Sequence, residues 1–176
     1  AITGYASLSY DANGNLTSDG TATYAYDSES RLVSSSAVGG NSQYAYDPFG
    51  RRISKTLDGV TTYFLYDGDQ ILAETDGSGS LLKRHIYCPG IDELLRTTDY
   101  GLPTDYYYHA DGLGSIIALT DSTGTVIERY AYDVYGQPSI TDAAGNPLSQ
   151  SIVANRFLFT AREYDVETGL YHYRSR

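Results

Sequence analysis

The chain has 176 residues, enough for one domain with a sizeable core, and a net charge of −10. That charge argues against gripping a phosphate backbone, which needs clustered Lys and Arg, and no apolar run is long enough for a transmembrane helix. Nucleic acid and membrane insertion are therefore not expected. Tyr occurs 19 times and Gly 18 times, while Met and Trp are absent. Tyr suits half-buried pleated surfaces, Gly supplies turns, and no long stretch keeps apolar residues at helical spacing, so the chain is expected to be all-β. It starts at Ala1, which reads as a processed product or a fragment. The single Cys88 excludes an internal disulfide and says nothing about compartment.

Residues 5–18 predict a hairpin turning at Asp11-Ala12-Asn13-Gly14, and residues 21–36 a second turning at Asp27-Ser28-Glu29-Ser30, where Gly is missing. After Val38-Gly39-Gly40-Asn41 loops back, residues 42–57 hold the template copy. Tyr44 and Tyr46 share a strand face, Asp47-Pro48-Phe49-Gly50 turns, and Arg51 opens the return strand. Asp58-Gly59 predicts a two-residue hairpin, because both turn positions need φ > 0. Residues 60–75 turn at Asp67-Gly68-Asp69, Asp76 to Gly79 form another turn, and residues 80–98 pair around Cys88-Pro89-Gly90. Residues 104–120 form the next hairpin, and the turns Asp121 to Gly124 and Asp133 to Gly136 bound the strand after it. Residues 141–155 are irregular, suiting a surface loop or a short helix equally. Residues 156–160 and 170–173 read as strands flanking Glu163 to Gly169.

The unit is a repeat. Tyr-Asp pairs fall at Tyr10-Asp11, Tyr26-Asp27, Tyr46-Asp47, Tyr66-Asp67, Tyr132-Asp133 and Tyr164-Asp165, the first four spaced 16, 20 and 20 residues apart. Tyr108-His109 continues the rhythm with His in place of Asp. About eight hairpins, or about sixteen strands, would stack at ~4.8 Å into a strip on the order of 75 Å long, too long to stay flat. Its edges would be unpaired and its Tyr-rich inner face wetted unless covered.

Little in the residues speaks of chemistry. Asp11-Ala12-Asn13-Gly14-Asn15 imitates the start of a calcium loop, but Ala22 stands where a bidentate Glu is needed and strands flank it. His85, His109 and His172 are scattered without zinc-ligand spacing, and no Gly-x-Ser-x-Gly elbow or phosphate-cradling glycine pattern occurs. No cofactor, no metal and no enzymatic activity are expected. Arg51, Arg52, Lys55, Lys83, Arg84, Arg129, Arg162, Arg174 and Arg176 are expected to pair with turn carboxylates across the ladder. The tyrosines pack across strands; a second use for Tyr44, Tyr46, Tyr106, Tyr108, Tyr130 and Tyr132 is a sugar-stacking platform.

Residues 107–115, Tyr-Tyr-His-Ala-Asp-Gly-Leu-Gly-Ser, resemble the signature of the Rhs-repeat-associated core. Residues 127–136, Ile-Glu-Arg-Tyr-Ala-Tyr-Asp-Val-Tyr-Gly, are similar to its Glu-Arg-Tyr-x-Tyr-Asp-x-Tyr-Gly segment, and residues 157–165 and 168–174 to its next block. The upstream units resemble YD repeats. The matching positions are Tyr10, Asp11, Tyr26, Asp27, Tyr46, Asp47, Gly50, Tyr66, Asp67, Tyr108, His109, Asp111, Gly114, Tyr132, Asp133, Gly136, Tyr164, Asp165 and Gly169. The resemblance implies a spiral of β-hairpins forming a hollow shell, as in Rhs effectors, Tc toxin B/C components and teneurins. It divides the chain into YD-repeat hairpins at 1–98 and core-like hairpins at 99–176, in one continuous unit. The family's aspartyl self-cleavage motif would lie beyond Arg176.

Three readings stay open: a structural wall segment of an Rhs-type extracellular protein, paired with flanking parts of a larger chain or with copies of itself; a self-assembling surface filament or adhesin; and a carbohydrate-binding module.

Overall fold

The computed structural model describes residues 7–90 and 92–174. Residues 5 and 6 of the first expected hairpin, and Arg176, lie outside the described residues. The architecture is all-β, with 17 strands running antiparallel among the described residues. They are β1 Ser9–Tyr10, β2 Leu16–Ser18, β3 Thr23–Tyr26, β4 Leu32–Ala37, β5 Gly40–Tyr46, β6 Arg52–Leu57, β7 Val60–Asp67, β8 Gln70–Thr75 and β9 Leu81–Tyr87. There follow β10 Leu94–Asp99, β11 Thr104–Ala110, β12 Ile116–Thr120, β13 Val126–Tyr132, β14 Pro138–Asp142, β15 Pro147–Leu148, β16 Glu163–Asp165 and β17 Leu170–His172. Strands β1 to β15 form one sheet in sequence order, so each pairs only with its chain neighbours, and β16 and β17 form a separate pair.

One turn type is used again and again. At Asp11, Asp27, Asp47, Asp76, Asp111, Asp121, Asp133 and Asp142 the N–H of the residue three on donates to the Asp carbonyl. The Asp side chain itself accepts the N–H groups two and four residues on, as Asp47 Oδ1 does from Phe49 and Arg51 at 2.9 Å each. The fourth residue is left-handed, with Gly50 at φ 82° and Ser30, the one non-glycine in the series, at φ 61°. Asp58-Gly59 has positive φ at both positions, as expected from the sequence.

Most return strands carry one extra residue. Register shifts leave Val33, Ile53, Leu72, Leu95 and Ile117 unpaired between ladder partners. A bulge lengthens one strand of its pair, bends it and increases twist, which curls the sheet. Buried residues that pair across the ladder on the concave face include Tyr24, Tyr44, Phe64, Glu74, His85, Thr97, Tyr106, Leu119, Glu128 and Tyr130.

Three expectations need correction. Residues 141–155 are neither plain loop nor helix: the Asp142 turn builds β14 and β15, because Asp142 caps its turn as the other aspartates do. Residues 156–160 do not form a strand. Phe157 makes a single bridge to Glu163, and Phe159–Ala161 is a 3-10 turn with Thr160 at φ 50°. The repeat at residue 108 is also shifted: Ala110-Asp111, not Tyr108-His109, holds the turn, since Asp111 makes the capping bonds.

Candidate functional site

The inner face is covered from within the chain. After β15, residues 149–174 cross the concavity as a strap. Val153, Leu158 and Ala161 join Tyr106, Ile116, Leu119 and Tyr130 in one core, and Phe157 joins Phe64, Ile71 and Leu94 in another. Leu158 is 1% exposed and Phe157 6%. Burying each contributes roughly 1.5–3 kcal/mol.

Polar groups set the strap's register. Ile116 N donates to Leu158 O at 3.0 Å, and Lys83 Nζ donates to the carbonyls of Val153 and Ala154 at 3.0 Å each. Glu128, wholly buried, accepts bonds from Tyr130 Oη, Ser151 Oγ and Ile152 N. Each satisfies a group that burial would otherwise strand.

The centre is a buried ionic network. Strand alternation and its continuation put Glu163, Asp165 and Glu167 on the side of the strap that meets the sheet. Arg52, 1% exposed, grips Glu163 at 2.8 Å and Asp165 at 2.6 Å. Lys55 bridges Asp165 and Glu167 at 2.8 Å each, and Tyr44 Oη donates to Glu167 at 2.8 Å. Arg156 ties Glu163 at 3.0 Å to Glu74 at 2.7 Å, and Glu74 accepts from His85 Nε2 at 2.8 Å. Burial alone would raise the carboxyl of Glu74, but Arg156 and the His85 bond hold it down, to about 2. Burial likewise opposes ionisation of Glu163 and Asp165, and Arg52 with Arg156 or Lys55 overcomes it in each. Burial lowers His85 more than Glu74 raises it, so at neutral pH His85 is a neutral donor to Glu74.

Two glycines admit the strap. A Cβ at Gly39 would lie 2.6 Å from Glu167 Cα, and one at Gly136, with φ 86°, would lie 2.9 Å from the Phe159 ring. Tyr171 Oη also donates to Gly136 O at 2.8 Å.

The cation expectation therefore needs correcting. Arg51 does pair with turn Asp47, at 2.7 Å, but Arg52 and Lys55 point inward to the strap, because side chains alternate along β6 and its bulge. Glu163 and Asp165 share a face of β16, and Glu167 in the turn that follows is buried on the same side, but nothing in the local sequence says which cations face them.

The repeat positions divide into a rim and a lining. Asp11, Asp27, Asp47, Asp111 and Asp133 cap turns, while Gly50, Gly114 and Gly136 take the left-handed position. Asp67 starts a tighter turn through Gly68, at φ 57°. Tyr46, Tyr66 and Tyr132 each donate a hydroxyl to a carbonyl just before a bulge, Leu32 O at 2.8 Å, Arg52 O at 3.0 Å and Ile116 O at 2.6 Å. Tyr26 sits half-buried beside its turn, whereas Tyr10 is 58% exposed on the edge strand. His109 meets Thr120 Oγ1 at 3.1 Å, and Tyr108 lies between Thr97 and Asn155. Tyr164 tilts against Tyr171 with centroids 4.8 Å apart, and Gly169 closes the β16–β17 turn at φ 71°. Asp165 departs from the other turn aspartates: its carboxylate faces Arg52 and Lys55 instead of capping.

The rings considered for sugars are occupied within the chain. Tyr44, Tyr106 and Tyr130 are each 5% exposed, Arg31 lies over Tyr46, and Phe159 tilts against Tyr132. Among the described residues no group of three or more His, Cys, Asp or Glu is placed to hold a metal, and no helix is long and apolar enough to cross a membrane.

Residues 2–174 match the family model described as Teneurin YD-shell. The chain is 39% identical to the tRNA3(Ser)-specific nuclease WapA of Bacillus spizizenii and 40% identical to the tRNA nuclease WapA of Bacillus subtilis, each over 97% of this chain and 7% of the relative. It thus spans about 7% of the length of these curated relatives. Two solved structures share the fold. The Photorhabdus luminescens Tc holotoxin pore has a TM-score of 0.66 at 17% identity, over 95% of this chain and 9% of that one. TcdB2–TccC3 has a TM-score of 0.55 at 17% identity, over 99% of this chain and 8% of that one. The relatives overturn the expectation that no enzyme is involved: proteins sharing about 40% identity with this chain are named as nucleases, and the tRNA in their names is the class of partner that acidic charge argued against.

Proposed function

Since the chain belongs to the teneurin YD-shell family, we propose that it builds one curled stretch of wall in a much larger extracellular tRNA nuclease of the WapA kind. The observation that carries the reading is the strap. It hides the inner aromatic face behind a buried ionic network, so this stretch presents a sealed lining where a bare hairpin strip would leave one wet. The division at residues 98 and 99 fits the same reading: the core-like part supplies the strap, and the YD-repeat part supplies Arg52, Lys55 and Glu74, which hold it. The signature tyrosines and aspartates are the joints between hairpins.

The test uses the full-length parent protein and tRNA. The parent is expected to cleave tRNA, and a variant with Glu163→Gln and Asp165→Asn to become rapidly sensitive to protease within this stretch. A parent inert towards tRNA would refute the nuclease assignment. Equal protease resistance of parent and variant would refute the sealed wall.

A further inference from the structure

We propose that the strap is locked covalently: Lys55 and Asp165 condense into an isopeptide bond between Nζ and Cγ, with Glu167 moving the protons. This deepens the sealed-wall reading and rests on the closed strap, not on the tRNA assignment. A lysine and two acids meet at one point, although Lys55 lies on β6 and the acids lie on the strap, 110 and 112 positions away. Lys55 Nζ is 2.8 Å from Asp165 Oδ1 and 2.8 Å from Glu167 Oε1. A nitrogen bonded to one carboxylate oxygen already sits close to the roughly 3–3.5 Å from its carbon that a near-attack arrangement requires. The site is enclosed: the side chain of Glu167 is 0% exposed, that of Asp165 4% and that of Lys55 16%. Tyr44 pairs with Lys55 across the ladder, and its hydroxyl holds Glu167 at 2.8 Å.

The step balances without a further reactant. The Lys55 ammonium passes one proton to Asp165 Oδ1, and burial favours the neutral amine and acid that result. The amine then attacks Asp165 Cγ. Negative charge develops on Oδ2, which Arg52 Nη1 already faces at 2.6 Å. Glu167 takes a second proton from the nitrogen and hands it to Oδ1, which leaves as water. The third proton stays on the amide nitrogen, and Oδ2 becomes the amide carbonyl. A buried ion pair is thereby replaced by a neutral amide, which removes two charges whose burial is costly. Among the described residues no guanidinium pairs with Glu167, whose other partner is the neutral Tyr44 hydroxyl, so Glu167 carries protons and Asp165 is attacked.

The test is trypsin digestion and mass spectrometry of the full-length parent protein. Trypsin does not cut after an acylated lysine. A branched peptide joining residues 53–83 to residues 163–174 is therefore expected, lighter by one water than the two pieces together. A parent cut after Lys55, with no branched peptide, would overturn the proposal, and that result needs no variant to fold. Glu167→Gln can still accept from Tyr44 but cannot carry the proton, so after equal time its linked fraction should be at least about tenfold lower. An equal linked fraction would overturn the part given to Glu167. These outcomes are separable from the earlier assays: a parent inert towards tRNA can carry the bond, and an ionic strap can seal the wall without it.

Discussion

Replacing Arg52 with methionine isolates the charge at the centre of the network. Methionine keeps an unbranched chain of similar reach against Tyr44 and Phe64, over which the guanidinium now lies at 5.1 and 5.9 Å. What disappears is the partner of Glu163 and Asp165, both buried. Removing one partner of a buried pair costs about 3–5 kcal/mol, because the remaining charge is left uncompensated. Here Glu163 keeps Arg156 and Asp165 keeps Lys55, which places the loss near the lower end, about 3 kcal/mol. With 19 tyrosines and no tryptophan, urea unfolding is followed by tyrosine fluorescence. At a slope of about 2 kcal/mol/M the midpoint should fall by about 1.5 M. Adding Asp165→Asn should cost less in the Arg52→Met background than in the parent. A midpoint shift under about 0.3 M, or strictly additive losses, would mean that water already reaches the network, and the reasoning from burial would be wrong.

Stability should fall with acid in two stages. His85 and Glu74 both have folded-state values below their unfolded ones, so the unfolded chain takes up protons first as pH drops. The His85 share is present above pH 6.5 and declines below it; the Glu74 share, about 3 kcal/mol for a shift from 4.5 to about 2, is lost as pH falls through that interval. Urea midpoints from pH 8 to 3 would show this, and a rise on acidification would contradict it. Ser30→Gly should stabilise the chain by up to about 1 kcal/mol, since Ser30 occupies a left-handed position at φ 61°; thermal melting would detect it, and destabilisation would sink the idea. Gly136→Ala should cost clearly more than Gly50→Ala. Both positions are left-handed, but only at Gly136 would the new methyl strike the strap, at Phe159; equal melting temperatures for the two variants would count against that contact.

Much of the wall was legible because its information is local. An Asp turn needs only an aspartate, two permissive residues and a left-handed fourth position, all within five residues, and alternation assigns the faces. The strap was not legible, because its instructions are split. Arg52 and Asp165 lie 113 positions apart, and neither announces its partner. The Arg51-Arg52 pair reads as two surface cations, although one binds the rim and the other the interior. A bulge adds to the difficulty, since Ile53 shifts the facing of its strand without any distinctive residue type. Asp165 carries the motif of a turn aspartate and does different work, because its loop runs on through Glu167 and that side of it is buried.

The contacts of Arg31 and Arg51 have a direction, each reaching forward from its own turn to the hairpin that follows, at Asp47 O and Gly68 O. During synthesis a ribosome delivers hairpins in that same order. At these two joints the newcomer meets an arginine already held by its own aspartate and a bulge carbonyl that accepts its tyrosine hydroxyl. The wall can be laid course by course as it emerges, with no distant sequence required until residues 149–174 close over it. Duplicating one hairpin among β1 to β15 keeps pairing between chain neighbours, whereas removing residues 149–174 takes away the piece that shuts the inside.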